Sequence, residues 1–435
     1  MTVQSIGLIG MGCLVSLIFM RVPVGVAMGL VGLCGYAAVD GWANAFRVFG
    51  EVPFDVASNY SLSVVPMFVL MGELATQSGM SSQLYRAAKA LFAGARGSQA
   101  LATIGACAGF GAVCGSSLAT AATMTRIAIP EMRRAGYDDR ISTGSVAAGG
   151  SLGILLPPSI IFVIYSIISQ QSVQKMFAAG LIPGLVLALL YMLVALVTLA
   201  VKPGWAPREP SQSVKERVRD LLLGWEIALL FGVAIGGLYA GWFSPTEAAG
   251  VGAFTAFALG VRRRGLPPAV LWRCFMDTIR TTCLLFVVVM SAFIFSYFVV
   301  QTQLPGVVIG LVQSWHVGRI ELVVILIIFY IVMGCFLDGA GMILITVPVF
   351  LPLLAQYGFD PVWYGVMLVV TVEMGLIHPP VGMNIFIIQA RAPDIPILRV
   401  YQGIIPFLAA PMLLLILLVA WPQLALWLPT LLYGR

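Results

Sequence analysis

PEMRRAGYD (130–138) and PLLAQYGFD (352–360) stand 222 residues apart, and each is followed at the same distance by a proline pair in apolar sequence, GILLPP (153–158) and GLIHPP (375–380). Aligned without a gap, Pro130/Pro352, Gly136/Gly358, Asp138/Asp360, Gly153/Gly375, Pro157/Pro379 and Pro158/Pro380 fall in register. Three of these pairs are prolines, and none is the leucine match that any apolar chain yields. Paired Gly/Pro-interrupted apolar segments in two corresponding halves of a membrane chain point to the binding site of a secondary transporter.

Composition makes the membrane explicit. Of 435 residues, 60% are hydrophobic and 10% charged, with a mean hydropathy of +1.00. A soluble domain carries about 25% charged residues, so this chain cannot cover a water-facing surface and reads as a polytopic membrane protein. Crossing a ~30 Å hydrocarbon core takes about 20 apolar residues of helix, and 177–201, 225–240, 283–300 and 404–421 are clear examples of apolar runs. Barrel-like alternation is absent, so the spans are expected to be helices, whose backbone polar groups are satisfied internally. The apolar start, broken at Arg21-Val22-Pro23, has no basic leading region or small-residue cleavage site and reads as a retained anchor. Cys13, Cys34, Cys107, Cys114, Cys274, Cys283 and Cys335 occur singly, without C-x-x-C or Cys/His ligand spacing. That pattern suggests neither disulfides nor zinc, and the thiols read as small core fillers. Two histidines rule out His-rich metal chemistry.

The net charge of +6 is unevenly spread. Lys202, Arg208, Lys215, Arg217 and Arg219 form one basic stretch, and Arg262-Arg263-Arg264 follows two spans later. Those spans, near 224–241 and 244–261, bring both basic loops to one face, which the positive-inside rule makes cytoplasmic. One short basic loop without interleaved aromatics is a poor nucleic-acid surface, and none is expected as a partner.

The duplication divides the chain into an N-terminal half (1–200), a basic loop (201–223) and a C-terminal half (224–435). In the first half, GACAGFGAVCGSSLATAATMTRIAIP (105–130) holds too many small residues for one straight helix. Two half-helices meeting near Gly115-Ser116-Ser117 fit better, as a re-entrant hairpin near 98–128. Its counterpart, MGCFLDGAGMILITVP (333–348), sets Asp338-Gly339 in register with Ser116-Ser117, in a hairpin near 320–351. Irregular backbone at membrane depth is tolerated only where protein or a water-filled cavity covers it. A helix broken by Pro-Pro follows each hairpin, near 141–168 and 363–391; two successive prolines remove amide donors and clash with the preceding turn. Freed carbonyls suit a cation and the next half-helix N-terminus suits an anion, which is the physical case for an ion-coupled carrier of an anionic solute.

Asp338 is an acid in apolar sequence, where a charge costs at least about 2.5 kcal/mol; it reads either as a site residue or as a helix cap within the turn. Ser116, Ser117 and Thr120 are either small packing residues or contacts for solute or cation. Arg126 either snorkels to the interface or holds a substrate carboxylate through its planar fork. Glu73, beside Gln77 and Ser78, reads as a cap or interfacial residue, Glu373 as facing the scaffold, and Glu226 and Glu247 as acids near helix starts.

These motifs resemble the large permease subunit of tripartite ATP-independent periplasmic (TRAP) transporters. The resemblance lies in G-x-x-x-G-S-S-x-A-T at 111–120, P-E-M-x-x-x-G-Y at 130–137, G-x-L-x-P-P-S at 153–159 and P-P-V-G-x-N at 379–384, and it spans essentially the full chain. It implies an all-α fold of two inverted-topology repeats, working as an elevator with a mobile transport domain that holds both hairpins. It also implies Na⁺-driven uptake of an organic acid (a C4-dicarboxylate, keto acid, sialic acid or similar carboxylate) across the bacterial cytoplasmic membrane. A periplasmic solute-binding protein and a separate small membrane subunit would be the partners, and Na⁺ the coupling ion, without any other cofactor. Carried over by position, Ser116, Ser117, Thr120, Arg126 and Asp338 would meet the substrate. Gly115, Ser116, Pro157, Asp338, Gly375, His378 and Pro379 would surround Na⁺; many members have Thr where this chain has His378.

Two rivals differ in class. A stand-alone ion-coupled citrate or divalent-anion transporter shares the hairpin logic but needs no binding protein. An intramembrane enzyme would need paired acids, a Ser/His pair or metal ligands at recognisable spacing, which the sequence lacks, and no G-x-x-x-x-G-K-[ST] supports ATP hydrolysis.

Overall fold

The computed structural model describes residues 2–207, 213–263, 265–335 and 337–434, and all regular structure among them is helical. Arg208 and Arg264 of the two basic loops lie outside the described residues. The chain opens with α1 (Val3–Phe19), α2 (Val24–Asp40) and α3 (Trp42–Ser58). A 57° bend at Asn59 joins α3 to a 3-10 turn and α4 (Val64–Gln77), followed by the short α5 (Met80–Leu91). Then come α6 (Ser98–Cys114), α7 (Ser117–Arg134), α8 (Asp139–Ser151), α9 (Ile160–Ile168) and the 29-residue α10 (Val173–Val201).

Beyond the basic loop, α11 (Val214–Leu222) leads to α12 (Trp225–Phe231), a π-helical turn over Gly232–Gly236, and the single turn α13 (Gly237–Tyr239). The long α14 (Pro245–Arg262) and α15 (Pro268–Gln301) precede α16 (Leu304–Ser314). Next are α17 (Arg319–Gly334), α18 (Gly339–Gln356), α19 (Pro361–Ile377) and α20 (Met383–Arg391). The chain finishes with α21 (Ile397–Ile404), α22 (Ala409–Ala420) and α23 (Gln423–Tyr433). At about 1.5 Å per residue, α10 and α15 alone exceed a bilayer's apolar thickness, and five helical stretches pass length and hydropathy limits for a span. The expectation of an all-helical, multi-pass membrane protein is met.

Burial separates an inner body from an outer ring. Every residue from 141 to 159 is buried, as is every residue from 362 to 377, so α8 and α19 are enclosed on all sides. An apolar surface all round suits α19 to such a position, whereas α8 fits it through small residues, Gly, Ala, Ser and Thr, that let neighbours approach. The outer helices instead turn leucines and aromatics outward: Leu185, Leu189 and Leu193 on α10 and Trp272, Ile279 and Leu284 on α15 are each at least half exposed. Small residues draw the outer helices together, as expected where no hydrophobic force acts between spans. On α2, Gly25 and Gly32 face α15 so closely that a Cβ on Gly32 would lie 2.8 Å from the Phe295 backbone.

The residues matched between the two halves hold matching local posts. Gly136 (φ +83°) and Gly358 (φ +69°) end α7 and α18 in the left-handed region that favours glycine. The next amides, of Tyr137 and Phe359, reach back to the carbonyls of Met132 and Leu354 at 2.9 and 3.1 Å, closing the same C-terminal motif. Asp138 caps α8 by accepting the Arg140 amide at 2.8 Å, and Asp360 caps α19 by accepting the Val362 amide at 2.7 Å. Such caps contribute about 1 kcal/mol each. In the C-terminal half, buried Tyr330 donates to Thr346 at 3.0 Å and shares a 2.5 Å hydrogen bond with Tyr364, tying α17, α18 and α19 together.

Glu226 and Glu247 do stand at helix starts. Glu226 is buried and bound by Arg263 at 2.6 Å, and Glu247 forms a capping box with Ser244. The cysteines divide: Cys107, Cys114, Cys274 and Cys335 are core residues, whereas Cys13, Cys34 and Cys283 lie exposed on outer helices, correcting the reading that all seven fill the core.

Candidate functional site

Two helical turns of the inner body line one cavity. In the first, α6 stops at Cys114, Gly115 takes φ +63°, and Ser116 caps α7 by accepting the Ala119 amide at 3.3 Å. The turn is fastened from behind. Thr120 Oγ1 donates to the Ser116 carbonyl at 2.8 Å, and Ser117 Oγ donates to the Ser151 carbonyl on α8 at 3.1 Å. In the second turn, α17 stops at Gly334 and Asp338 caps α18, accepting the Gly341 amide at 3.2 Å.

Each turn lies against one of the Pro-Pro breaks through bare backbone. A Cβ on Gly111 would fall 2.7 Å from Gly153 Cα, and one on Gly115 would fall 2.6 Å from the Pro158 carbonyl oxygen. In the other half, a Cβ on Gly334 would lie 3.0 Å from Gly375 Cα, and one on Gly375 2.7 Å from Gly334 Cα. Both proline pairs are joined by cis peptide bonds. Side chains occupy the carbonyls that the breaks release. Ser159 donates to the Ile154 carbonyl at 2.5 Å, and Tyr401 donates to the Pro380 carbonyl at 2.5 Å. A ring nitrogen of His378 sits against the Pro379 carbonyl.

The two turns close one end of a cavity of about 390 Å³. Gly115, Ser116, Ser117 and Asp338 line it, with Ile154 and Leu376 from near the breaks and Ile160 and Ile161 from the start of α9. The opposite wall comes from the outer helices: Val69, Glu73 and Thr76 of α4, and Thr281 and Leu285 of α15. Two 18-residue helices, α7 and α18, thus direct their N-termini at one space, together with two carboxylates and four hydroxyls. Helix N-termini present unbonded amides and a positive dipole end, which favour an anion. The carboxylates and hydroxyls supply hard oxygen ligands suited to a cation such as Na⁺.

The structure brings together four of the sequence-nominated residues and sets others apart. Thr120 is fully buried behind the turn, where its hydroxyl is used internally. Arg126 lies on an exposed face of α7, in a separate cleft with Arg86, Lys89, Glu131 and Asp220. Pro157 and Gly375 are buried and His378 and Pro379 half-buried; none of these four lines the cavity. The reading of Glu73 as a cap or interfacial residue is corrected. It stands inside α4, not at a segment end, and its side chain faces the cavity. The available signal was a lone acid in the apolar run PMFVLMGELA (66–75), the same signal that singled out Asp338. Glu373 is fully buried, its carboxylate turned toward the backbone amides of Ile154 and Leu155, so it faces the first break within the inner body.

The chain is 33% identical to the C4-dicarboxylate TRAP transporter large permease protein DctM of Pseudomonas aeruginosa, over 86% of its own length and 88% of the relative. It is 30% identical to the sialic acid TRAP transporter large permease protein SiaM of Vibrio cholerae, over 96% and 97%. Among solved structures, the Alcanivorax borkumensis YdaH transporter shares the fold with a TM-score of 0.63 at 15% identity, covering 92% of this chain and 98% of that one. The family model of the tripartite ATP-independent periplasmic transporter DctM component matches residues 11–424. This chain therefore belongs to the DctM family of TRAP transporter large permeases, a family of transport proteins and not of enzymes.

Proposed function

We propose that this chain is the transmembrane pathway of a Na⁺-coupled importer of small organic acids in the bacterial cytoplasmic membrane, supplied by a periplasmic solute-binding protein and assembled with a small membrane subunit. The cavity carries the reading: the helix N-termini of both turns, the Ser116 and Ser117 hydroxyls of one and the Asp338 carboxylate of the other converge on a space large enough for a small carboxylate. The amide-lined end receives the carboxylate, and Asp338, the Ser116/Ser117 turn and the backbone near each break receive Na⁺. Binding both together cancels charge that neither could bring into a low-dielectric site alone. The matched halves are read as inverted repeats, and the enclosed body around α6–α9 and α17–α20 as the part that moves against the outer helices in an elevator cycle. The basic stretch between the halves supports a cytoplasmic side for that loop by the positive-inside rule.

Reconstitution tests this. Liposomes containing the chain, the small subunit and the loaded binding protein should accumulate an organic acid only with an inward Na⁺ gradient. Concentrative uptake by this chain alone would refute the tripartite requirement and favour a stand-alone anion transporter.

A further inference from the structure

We propose that Glu73 is a specificity-determining residue, and that the cavity takes a monocarboxylate bearing a hydroxyl or protonated amine in preference to a dicarboxylate. The inference rests on the carboxylate-carrier reading above and asks what the rest of the solute looks like. The cavity is chemically lopsided. Its side-chain charges are two carboxylates, Glu73 and Asp338, and no Lys, Arg or His is among the lining residues.

The two acids are not equivalent. Asp338 is held by the amide of Gly341, so the N-terminus of α18 offsets its charge. Glu73 lies within α4 and has no helix terminus to answer it. Gln77, one turn on, is its hydrogen-bonding neighbour, and Asp277 of α15 adds a second negative charge nearby. The α4/α15 wall is thus negative, while the wall of turns is rich in amide donors.

A solute with one carboxylate and one donor group complements both walls: carboxylate toward the α7 and α18 N-termini, donor toward Glu73. A second carboxylate would meet Glu73 with like charge and offer it no donor, and discrimination of this kind, by a missing solute hydrogen bond plus repulsion, is strong. The hydroxyls of Thr76 and Thr281 add hydrogen-bonding partners on the same wall.

The test uses the full-length chain purified together with its small membrane subunit in saturating Na⁺, with dissociation constants measured calorimetrically for 4-hydroxybutyrate, 4-aminobutyrate, gluconate and succinate. The wild-type protein should prefer the donor-bearing acids over succinate by about 100-fold. Glu73→Gln should shrink that preference by at least about tenfold, mainly by tightening succinate, and Glu73→Asp should largely keep it. Unchanged melting temperature and elution volume establish that each variant is folded. Succinate binding as tight as the donor-bearing acids, or a preference that Glu73→Gln leaves intact, overturns this inference but leaves the carrier reading standing. Failure of every carboxylate to bind in Na⁺ overturns both.

Discussion

Gly375→Ala puts the backbone contact between turn and break under direct test. The new Cβ would lie 2.7 Å from Gly334 Cα and 2.9 Å from its carbonyl carbon. Carbon atoms pack best at about 3.5–4.0 Å, so α17 and α19 must part by about 1 Å. Both neighbours are main chain, so no side chain can swing aside. Overpacking of this kind costs about 1–3 kcal/mol, and a strain of ~2 kcal/mol corresponds to a factor of roughly 30 in the population of the packed arrangement. The Pro-Pro break and the Asp338 turn meet across this contact, so the loss should appear in cation binding. The half-saturating Na⁺ concentration for uptake in proteoliposomes should rise at least about tenfold, with a smaller fall in melting temperature. Gly250→Ala is the control: no atom lies within 4 Å of the added Cβ, and α14 should gain from the better helix former. Wild-type Na⁺ dependence in Gly375→Ala would refute the argument that bare backbone contact positions the site.

Further outcomes follow from the same geometry. Asp338→Asn keeps a side chain able to cap α18 while removing the charge, so uptake at saturating solute and Na⁺ should fall at least about tenfold with the melting temperature within a few degrees; wild-type uptake would end the assignment. Arg126→Ala, altering a residue outside the cavity, should leave solute and Na⁺ dependence within about twofold in the same assay, far below the 10–100-fold cost of losing a charged contact. Tyr364→Phe should lower stability by about 1 kcal/mol through its shared hydrogen bond with Tyr330, read by thermal melting. Arg133, which binds Asp394, holds that carboxyl below the usual carboxylate range. A depressed acid adds stability above its unfolded value near ~3.9 and loses it as pH falls through the folded value. The melting-temperature deficit of Arg133→Gln should therefore be present at pH ~7 and close below pH ~3.9; a deficit independent of pH would contradict the pairing.

Legibility in sequence followed how local each residue's task is. Proline and glycine report on their own backbone, so Gly136 and Gly358 could be matched in sequence because both must take positive φ, and Asp138 and Asp360 because both cap the helix that follows. The all-helical membrane fold was readable from composition for a similar reason, since bilayer physics acts on every residue. Side-chain direction is not local. Thr120 and Arg126 follow the first turn closely, but one helix rotation separates a face that looks into the cavity from one that packs behind it or leaves it. Glu73 reaches the cavity only because α4 lies opposite turns more than forty and more than two hundred residues away. No spacing rule within α4 encodes that approach.

The cavity's two walls are made of different material, and that bears on how such a carrier can change its diet. One wall is built from two helix starts and their turns, held against the breaks by paired glycines behind them, where almost any substitution disturbs several contacts at once. The other is an ordinary helical surface whose Glu73, Thr76, Thr281 and Leu285 present replaceable side chains. In the proposed Na⁺-coupled cycle, a single codon change on α4 or α15 would alter the face offered to the solute without dismantling the turns assigned to the ion. The scaffold thereby separates a part that must be inherited intact from a part free to drift, so relatives carrying dissimilar acids need not have rebuilt their machinery to do so.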